Sequence, residues 1–219
     1  MSELAEVLGL ETASQFQHAV ERAVALLRSG EAVALPTETV YGLAANAFDV
    51  NAVSRIFSIK GRPSHNPLIV HAGSLAMARE CTLDWTDSAA KLAAAFWPGP
   101  LTVVVKRSSL VPDIVTAGGD TVALRWPAHP FMRAVINLAG FPLAAPSANL
   151  AGEISPTSAR HVQRSLGDKL RLIVDAGQAQ VGIESTVVDC TGSIPRILRP
   201  GIISGTQIAA ELRLTKASD

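Results

Sequence analysis

Short apolar runs, each cut off by Pro, Gly or a polar residue, alternate along this chain with stretches of helical periodicity. No other feature constrains the fold as strongly. Such runs are too short for buried helices and too apolar for surface loops, so they read as buried strands. The run 32–35 halts at Pro36, which cannot continue a ladder. Residues 68–70, 101–105, 122–124, 143–145, 172–174, 186–188 and 197–198 read the same way. Between them a period of about 3.6 residues predicts helices over 14–29, 51–59, 75–80, 88–96, 131–139 and 158–166. In the first of these Phe16, Ala19, Val20, Ala23, Val24 and Leu27 share a face, and Gly30 supplies a stop. Strands and helices mixed throughout place the chain in the α/β class. Several strands follow one another with no helix between, so a twisted, mixed sheet flanked by helices is expected, not a wholly parallel one. Residues 206–212 read as a short terminal helix and 215–219 as a frayed end. One domain is expected over 14–201, with an N-terminal segment at 1–13 and a tail or linker start at 202–219.

Composition then excludes several classes. Lys plus Arg number 19 and Asp plus Glu number 19, so the net charge is zero. That argues against a protein held on nucleic acid mainly by bulk positive charge, while leaving room for a local cationic pocket. With 48% hydrophobic and only 17% charged residues, the chain can bury a sizeable core and is not a disordered one. The uncharged run 134–152 is long enough by count to cross a membrane. It contains Asn137, Pro142, Pro146, Ser147 and Asn149, which suit helix, strand and loop of a core and not a lipid-exposed span. The N-terminus carries Glu3, Glu6 and Glu11 with no basic residue, the wrong charge for a signal or transit peptide. Cys81 and Cys190 lie far apart in no metal-type spacing. A reduced, cytoplasmic protein with two ordinary buried thiols is the simplest account.

Polar residues concentrate at strand ends and in the loops after them, where α/β folds place ligand sites. The stretch 36–43 (PTETVYGL) offers hydroxyls to a small polar substrate, although Thr37 or Thr39 would also serve as a helix N-cap. In 60–71 (KGRPSHNPLIVH), Lys60, Arg62 and Asn66 together suit phosphate, by forked hydrogen bonds from Arg and a point charge from Lys. Cations complementing a helix C-terminus are the plainer account. His71 fits a satisfied structural histidine as well as a ligand contact. Arg125 ends the apolar run that begins near Thr121, and so needs a partner or a ligand. In 145–149 (APSAN), then Gly152 and 155–157 (SPT), small residues let backbone approach a ligand, or Ser155 and Thr157 cap the next helix. The last window is 182–189 (GIESTVVD), followed by 199–201 (RPG). No P-loop, dinucleotide-binding, zincin or nucleophile-elbow motif is present, and none of the five histidines is paired at metal spacing.

Taken in order, PTETVYGL, KGRPSHNPLIVH, APSAN with SPT, ESTVVD and RPG resemble the threonylcarbamoyl-AMP synthase family. The likeness runs from about Gln17 to Gly201. It implies a single YrdC-like domain with an open ligand cleft. It also implies synthesis of L-threonylcarbamoyladenylate and pyrophosphate from L-threonine, bicarbonate and ATP. The product supplies the t6A group at position 37 of tRNAs that read ANN codons. The family's K-x-R and S-x-N tetrad falls on Lys60, Arg62, Ser147 and Asn149. By the same likeness Arg62, Asn66, Thr121, Ser147, Ser155 and Arg199 contact ATP. Thr39, His71, Arg125, the Ala145 backbone and Ser185 hold threonine, with Arg125 on the carboxylate and Lys60 on phosphate or carbamate.

The chemistry agrees with that likeness. Threonine's amine meets bicarbonate or its CO2 equivalent to give a carbamate, and a carbamate oxygen then attacks the α-phosphorus. Cations and positioned hydroxyls are what the developing charge needs. Mg²⁺ is expected to arrive with the triphosphate, since no carboxylate cluster offers a dedicated metal site. His71 and Glu184 are the candidate general bases. The family has a short form and a long form with an extra C-terminal domain; residues 201–212 resemble the start of that extension, so a short form with a tail or a truncated long form is expected. The product passes to the tRNA threonylcarbamoyl-transfer machinery, with weak tRNA contact as a further expectation. An RNA-binding YrdC-like module without catalysis is the alternative, and balanced charge weakens it. A carbamoyl-transfer domain of the hydrogenase-maturation type would bring zinc-finger and acylphosphatase-like parts, and neither is present.

Overall fold

The apolar runs all become strands of one sheet. In the computed structural model, which describes residues 4–213, these are β1 (Glu6–Gly9), β2 (Val33–Leu35), β3 (Gly42–Asn46), β4 (Ile69–His71), β5 (Leu101–Lys106), β6 (Thr121–Arg125), β7 (Leu143–Ala144), β8 (Leu172–Asp175), β9 (Thr186–Asp189) and β10 (Arg196–Arg199). The helices are α1 (Ala13–Arg28), α2 (Val50–Lys60), α3 (Leu75–Glu80), α4 (Asp87–Phe96), α5 (Asp113–Thr116), α6 (Pro130–Ala139), α7 (Ala159–Leu166) and α8 (Gly205–Leu212). The strand order is β1-β8-β2-β3-β7-β4-β6-β5-β9-β10. Pairs β1–β8, β2–β8, β4–β6 and β5–β9 are parallel and the rest antiparallel, so the sheet is mixed.

Three elements escaped the sequence pattern. β1 pairs in parallel with β8 inside the stretch expected to be a plain N-terminal segment. α5 is a single turn. β3 folds back on β2, with Leu35 opposite Gly42 and Val33 opposite Ala44. Its sequence, GLAAN, is small and of low strand propensity, yet almost wholly buried. Residues 202–213 are also packed: α8 lies against α4 and buries Ile208. The reading of 215–219 as frayed lies outside the described residues, as does Glu3 in the N-terminal charge pattern.

Side-chain alternation along the strands builds two cores. Val33 and Leu35, Leu172 and Val174, Ala44 and Leu143 point to one face, under α1 and α6. Ala34, Ile173, Leu43, Ala45 and Ala144 point to the other, among side chains of α2 and α7. Val70, Val122, Leu124, Leu101, Val103, Val105 and Val188 continue that second core across the other half of the sheet. The opposite parity on this half is left to face a cleft. Both cysteines are free and buried, and burial pushes each thiol up to about 12. Among the described residues no helix is long and apolar enough to cross a membrane.

Candidate active site

The cleft occupies about 340 Å³ over the open face of β4, β6, β5 and β9. Its floor is the set of strand residues that alternate with that second core: Ile69 and His71, Thr121, Ala123 and Arg125, Val104 and Val187. Walls come from the turn after β2, the loop after β7, Arg62 beyond α2, and Glu184 with Arg199 beside β9 and β10. β4 and β6 run parallel, so His71 and Arg125 stand in register at their carboxyl ends.

One end of the cleft is closed and dry. Arg125 Nη2 donates to Glu38 Oε1 at 2.7 Å, Nη1 to Thr39 Oγ1 at 2.9 Å and Nε to the Gly99 carbonyl at 3.2 Å. Burial would raise the Glu38 pKa, but the Arg125 guanidinium outweighs it and holds the carboxyl below its usual range. Thr37 shapes the turn: its Oγ1 accepts the N–H of Thr39 (3.2 Å) and of Val40 (3.3 Å). Neither Thr37 nor Thr39 caps a helix. Tyr41 anchors the same segment, donating to the Gly177 carbonyl at 2.7 Å and accepting the Ala176 N–H at 3.1 Å. His71 is buried, and its Nδ1 has no partner among the described residues. Burial first, then the nearby Arg125 charge, push its pKa down to about 3, so the ring is neutral. Behind this end Ser185 Oγ and Thr102 Oγ1 share a hydrogen bond at 2.7 Å. The Ala145 N–H donates to the Ile69 carbonyl (3.0 Å), which leaves the carbonyl of Ala145 as the group it can offer.

The other end is wetter and rich in cations. Gly61 ends α2 in the left-handed region, at φ 58°, and turns the chain so that Arg62 leaves the helix toward the cleft. Arg62 donates to the carbonyls of Pro67 (3.1 Å) and Asn66 (3.4 Å), so Asn66 supports it through its backbone. Arg199 donates to the Ser185 carbonyl through Nε (3.1 Å) and Nη2 (2.9 Å), and its Nη1 lies 3.4 Å from Glu184 Oε2. Ser155 Oγ donates to Glu184 Oε1 at 2.7 Å. Neither Ser155 nor Thr157 caps α7; Ser158 does. Gly201 packs so tightly on 184–186 that a Cβ would come within 2.5 Å of the Thr186 nitrogen, which explains the glycine of RPG.

Lys60 is tied to the loop after β7. Its buried ammonium donates to the carbonyls of Ser147 and Asn149, at 2.5 Å each, and to Asn149 Oδ1 at 3.3 Å. All three donors are used, so Lys60 fastens the 147–149 loop to α2. Burial first, then Arg62, push its pKa down to about 8. Arg62, Ser147, Thr121, Arg199, Thr39, His71, Arg125 and Ala145 line the cleft, whereas Lys60, Asn149, Asn66, Ser155 and Ser185 lie outside the lining. Glu38 and Thr102 carried no assignment from sequence; the one signal was that a buried Arg125 demanded a counter-charge.

Among the described residues no three His, Cys, Asp or Glu side chains converge to hold a metal ion. The cleft offers cations, hydroxyls and the single carboxylate of Glu184 beside them. Such a set does not make a cage for Mg²⁺, and fits a Mg²⁺ carried in by phosphate oxygens.

The family model described as "Telomere recombination", for Sua5, YciO and YrdC proteins, matches residues 25–201. The chain is 50% identical over 179 residues to the threonylcarbamoyl-AMP synthase of Pyrococcus abyssi, covering 82% of this chain and 53% of that protein. It is 49% identical over 193 residues to the threonylcarbamoyl-AMP synthase of Bacillus subtilis, covering 87% and 56%. The crystal structure of P. abyssi Sua5 complexed with L-threonine superposes with a TM-score of 0.93 at 42% identity, over 98% of this chain and 62% of that one. The chain thus spans about half the length of these two relatives and of the threonylcarbamoyl-AMP synthase of Schizosaccharomyces pombe.

Proposed function

We propose, for a chain that belongs to the Sua5, YciO and YrdC family, the synthesis of L-threonylcarbamoyladenylate and pyrophosphate from L-threonine, bicarbonate and MgATP. The observation that carries this reading is one cleft with two unlike cationic ends. A buried Arg125 closes one end, half-exposed Arg62 and Arg199 flank the other, and hydroxyls lie nearby. A small carboxylate suits the first and a polyphosphate the second. The relatives named threonylcarbamoyl-AMP synthase and the threonine complex of P. abyssi Sua5 support the assignment of substrates.

At the closed end Arg125 binds the threonine carboxylate with the N–H groups that Glu38, Thr39 and Gly99 leave over. Thr39 and the carbonyl of Ala145 hold the polar side chain and amine, with Ser185 supporting them from behind. His71 is neutral at pH 7, so it accepts or donates a hydrogen bond without adding charge beside Arg125. The amine adds to CO2 derived from bicarbonate and gives a carbamate. A carbamate oxygen attacks the α-phosphorus, the bond to the β-phosphate bridging oxygen breaks, and pyrophosphate leaves. Arg62 and Arg199 stabilise the charge that builds on the phosphoryl oxygens and leaving group. Thr121, Ser147, Ser155 and Asn66 position the nucleotide. Lys60 and Asn149 hold the Ser147 loop in place. The product goes on to the machinery that transfers threonylcarbamoyl to tRNA, and the protein works in the cytoplasm.

The test is pyrophosphate release from ATP. Release should need both L-threonine and bicarbonate. Turnover that continues without threonine overturns the substrate assignment.

A further inference from the structure

Glu184 is out of place in a site built for phosphate. It lines the cleft together with Arg62 and Arg199. Its Oε2 lies 3.4 Å from Arg199 Nη1, and its Oε1 accepts from Ser155 Oγ at 2.7 Å. Its charge also acts on Lys60 and Arg62. One carboxylate thus sits among two cleft-lining cations, 3.4 Å from Arg199, and it occupies the hydroxyl of Ser155. A negative group there repels an incoming polyphosphate and competes with it for Arg199 and Ser155. No cluster of acidic ligands accompanies it, so a role as metal ligand has no partner groups among the described residues.

We propose that Glu184 is the internal counter-ion of the phosphate end: it stands in for the anion while the cleft is empty, and weakens polyphosphate binding so that pyrophosphate can leave. The inference deepens the nucleotide reading above and rests on it. Without Glu184, the cations would repel one another in the empty cleft and hold the leaving group too long. With it, part of their charge is offset until phosphate displaces the carboxylate. Such a group lowers affinity for substrate and product alike, and so acts on release and not on the chemical step.

The discriminating variant is Glu184→Gln, which removes the charge and keeps an acceptor for Ser155 Oγ. Inorganic tripolyphosphate is the first probe, because it reads the phosphate end without nucleoside or threonine. Calorimetry should show the variant binding it roughly tenfold more tightly at low salt, with the gain shrinking as ionic strength rises. ATP should tighten in the same direction with and without Mg²⁺, and pyrophosphate should inhibit turnover more strongly. Unchanged or weaker tripolyphosphate binding overturns the proposal. ATP binding weakened only in the presence of Mg²⁺ makes Glu184 a metal ligand and also overturns it. Ser155→Ala keeps the charge and frees the loop; a gain equal to that of Glu184→Gln would assign the effect to the loop and overturn the counter-ion role. A wild-type protein that binds tripolyphosphate and not ATP sinks the nucleotide reading, while the tripolyphosphate comparison still decides the role of Glu184.

Discussion

Two arginine–glutamate pairs, one buried and one half-exposed, stand at the same cleft. Arg125 and Glu38 meet at 2.7 Å, with side chains 4% and 7% exposed. Arg199 and Glu184 meet at 3.4 Å, with side chains 37% and 33% exposed. The chemistry is the same and the environment is not. In the dry pair each charge depends on the other, because neither has water to fall back on. Arg125 is therefore fixed in direction before any ligand arrives, which suits recognition of one small carboxylate. The wet pair is screened and exchangeable, which suits a ligand of several charges that must enter and leave on each turnover. On the proposed function, specificity would rest on the rigid pair and ligand exchange on the loose one.

The largest expected effect breaks the dry pair. Glu38→Ala leaves the Arg125 guanidinium buried without a counter-charge and should cost about 3–5 kcal/mol of stability. Urea denaturation reads it as a large drop in midpoint at constant m. Threonine affinity should fall with it. A loss no bigger than that of Glu184→Ala would remove the distinction between the two ends.

Arg62→Ala comes next and should separate function from folding. Arg62 is half-buried and bonds only to the carbonyls of Pro67 and Asn66 among the described residues. Turnover should fall by at least about 10²-fold, the scale for losing a positioned donor at a transition state. The melting temperature should move little. Near-normal turnover would remove Arg62 from the chemistry.

How much of this was legible in the sequence depended on whether the cause was local. The runs at 101–105 and 122–124 announced β5 and β6 because a buried strand needs only its own apolar residues. GLAAN did not announce β3, since small residues carry little strand signal and its burial comes from neighbours on both sides. Arg125 could be marked as needing a partner, but Glu38 lies 87 residues away and nothing local joins them. Lys60 shows the same limit in reverse. Its place in a cationic motif suggested contact with phosphate or carbamate, whereas its donors go to carbonyls 87 and 89 residues downstream. The cap of α7 is Ser158, one residue past Thr157 and three past Ser155; hydroxyls that cap and hydroxyls that bind look alike in sequence.

The Lys60 pKa lies near 8, below its ordinary 10.5. Its ammonium, and with it the grip on the Ser147 loop, is lost as pH rises through about 8, so kcat/KM should fall on that limb. Stability moves the other way for this group. Between about 8 and 10.5 the unfolded chain keeps a proton that the folded one has released, so the contribution to stability rises with pH. A melting temperature that falls in step with kcat/KM would assign the limb to unfolding. His71 gives the acid counterpart. Its pKa is about 3 in place of 6.5, so the unfolded chain takes up a proton that the folded one refuses as pH falls through 6.5. Stability should decline over that window, and His71→Asn should flatten the slope.

The smallest effect is the coupling within the wet pair, and it bears directly on the contrast. A double-mutant cycle on Arg199 and Glu184, read by denaturation, should return less than about 1 kcal/mol, because both side chains are about a third exposed and water screens them. Salt near 1 M should erase it, since the screening length then falls to about 3 Å. The corresponding cycle at Arg125 and Glu38 should be several times larger and nearly insensitive to salt. Equal coupling at the two ends would mean that burial does not set their difference. A large salt-resistant coupling at Arg199 would mean that Glu184 is too firmly held to yield to phosphate, which would sink its role as an exchangeable counter-ion.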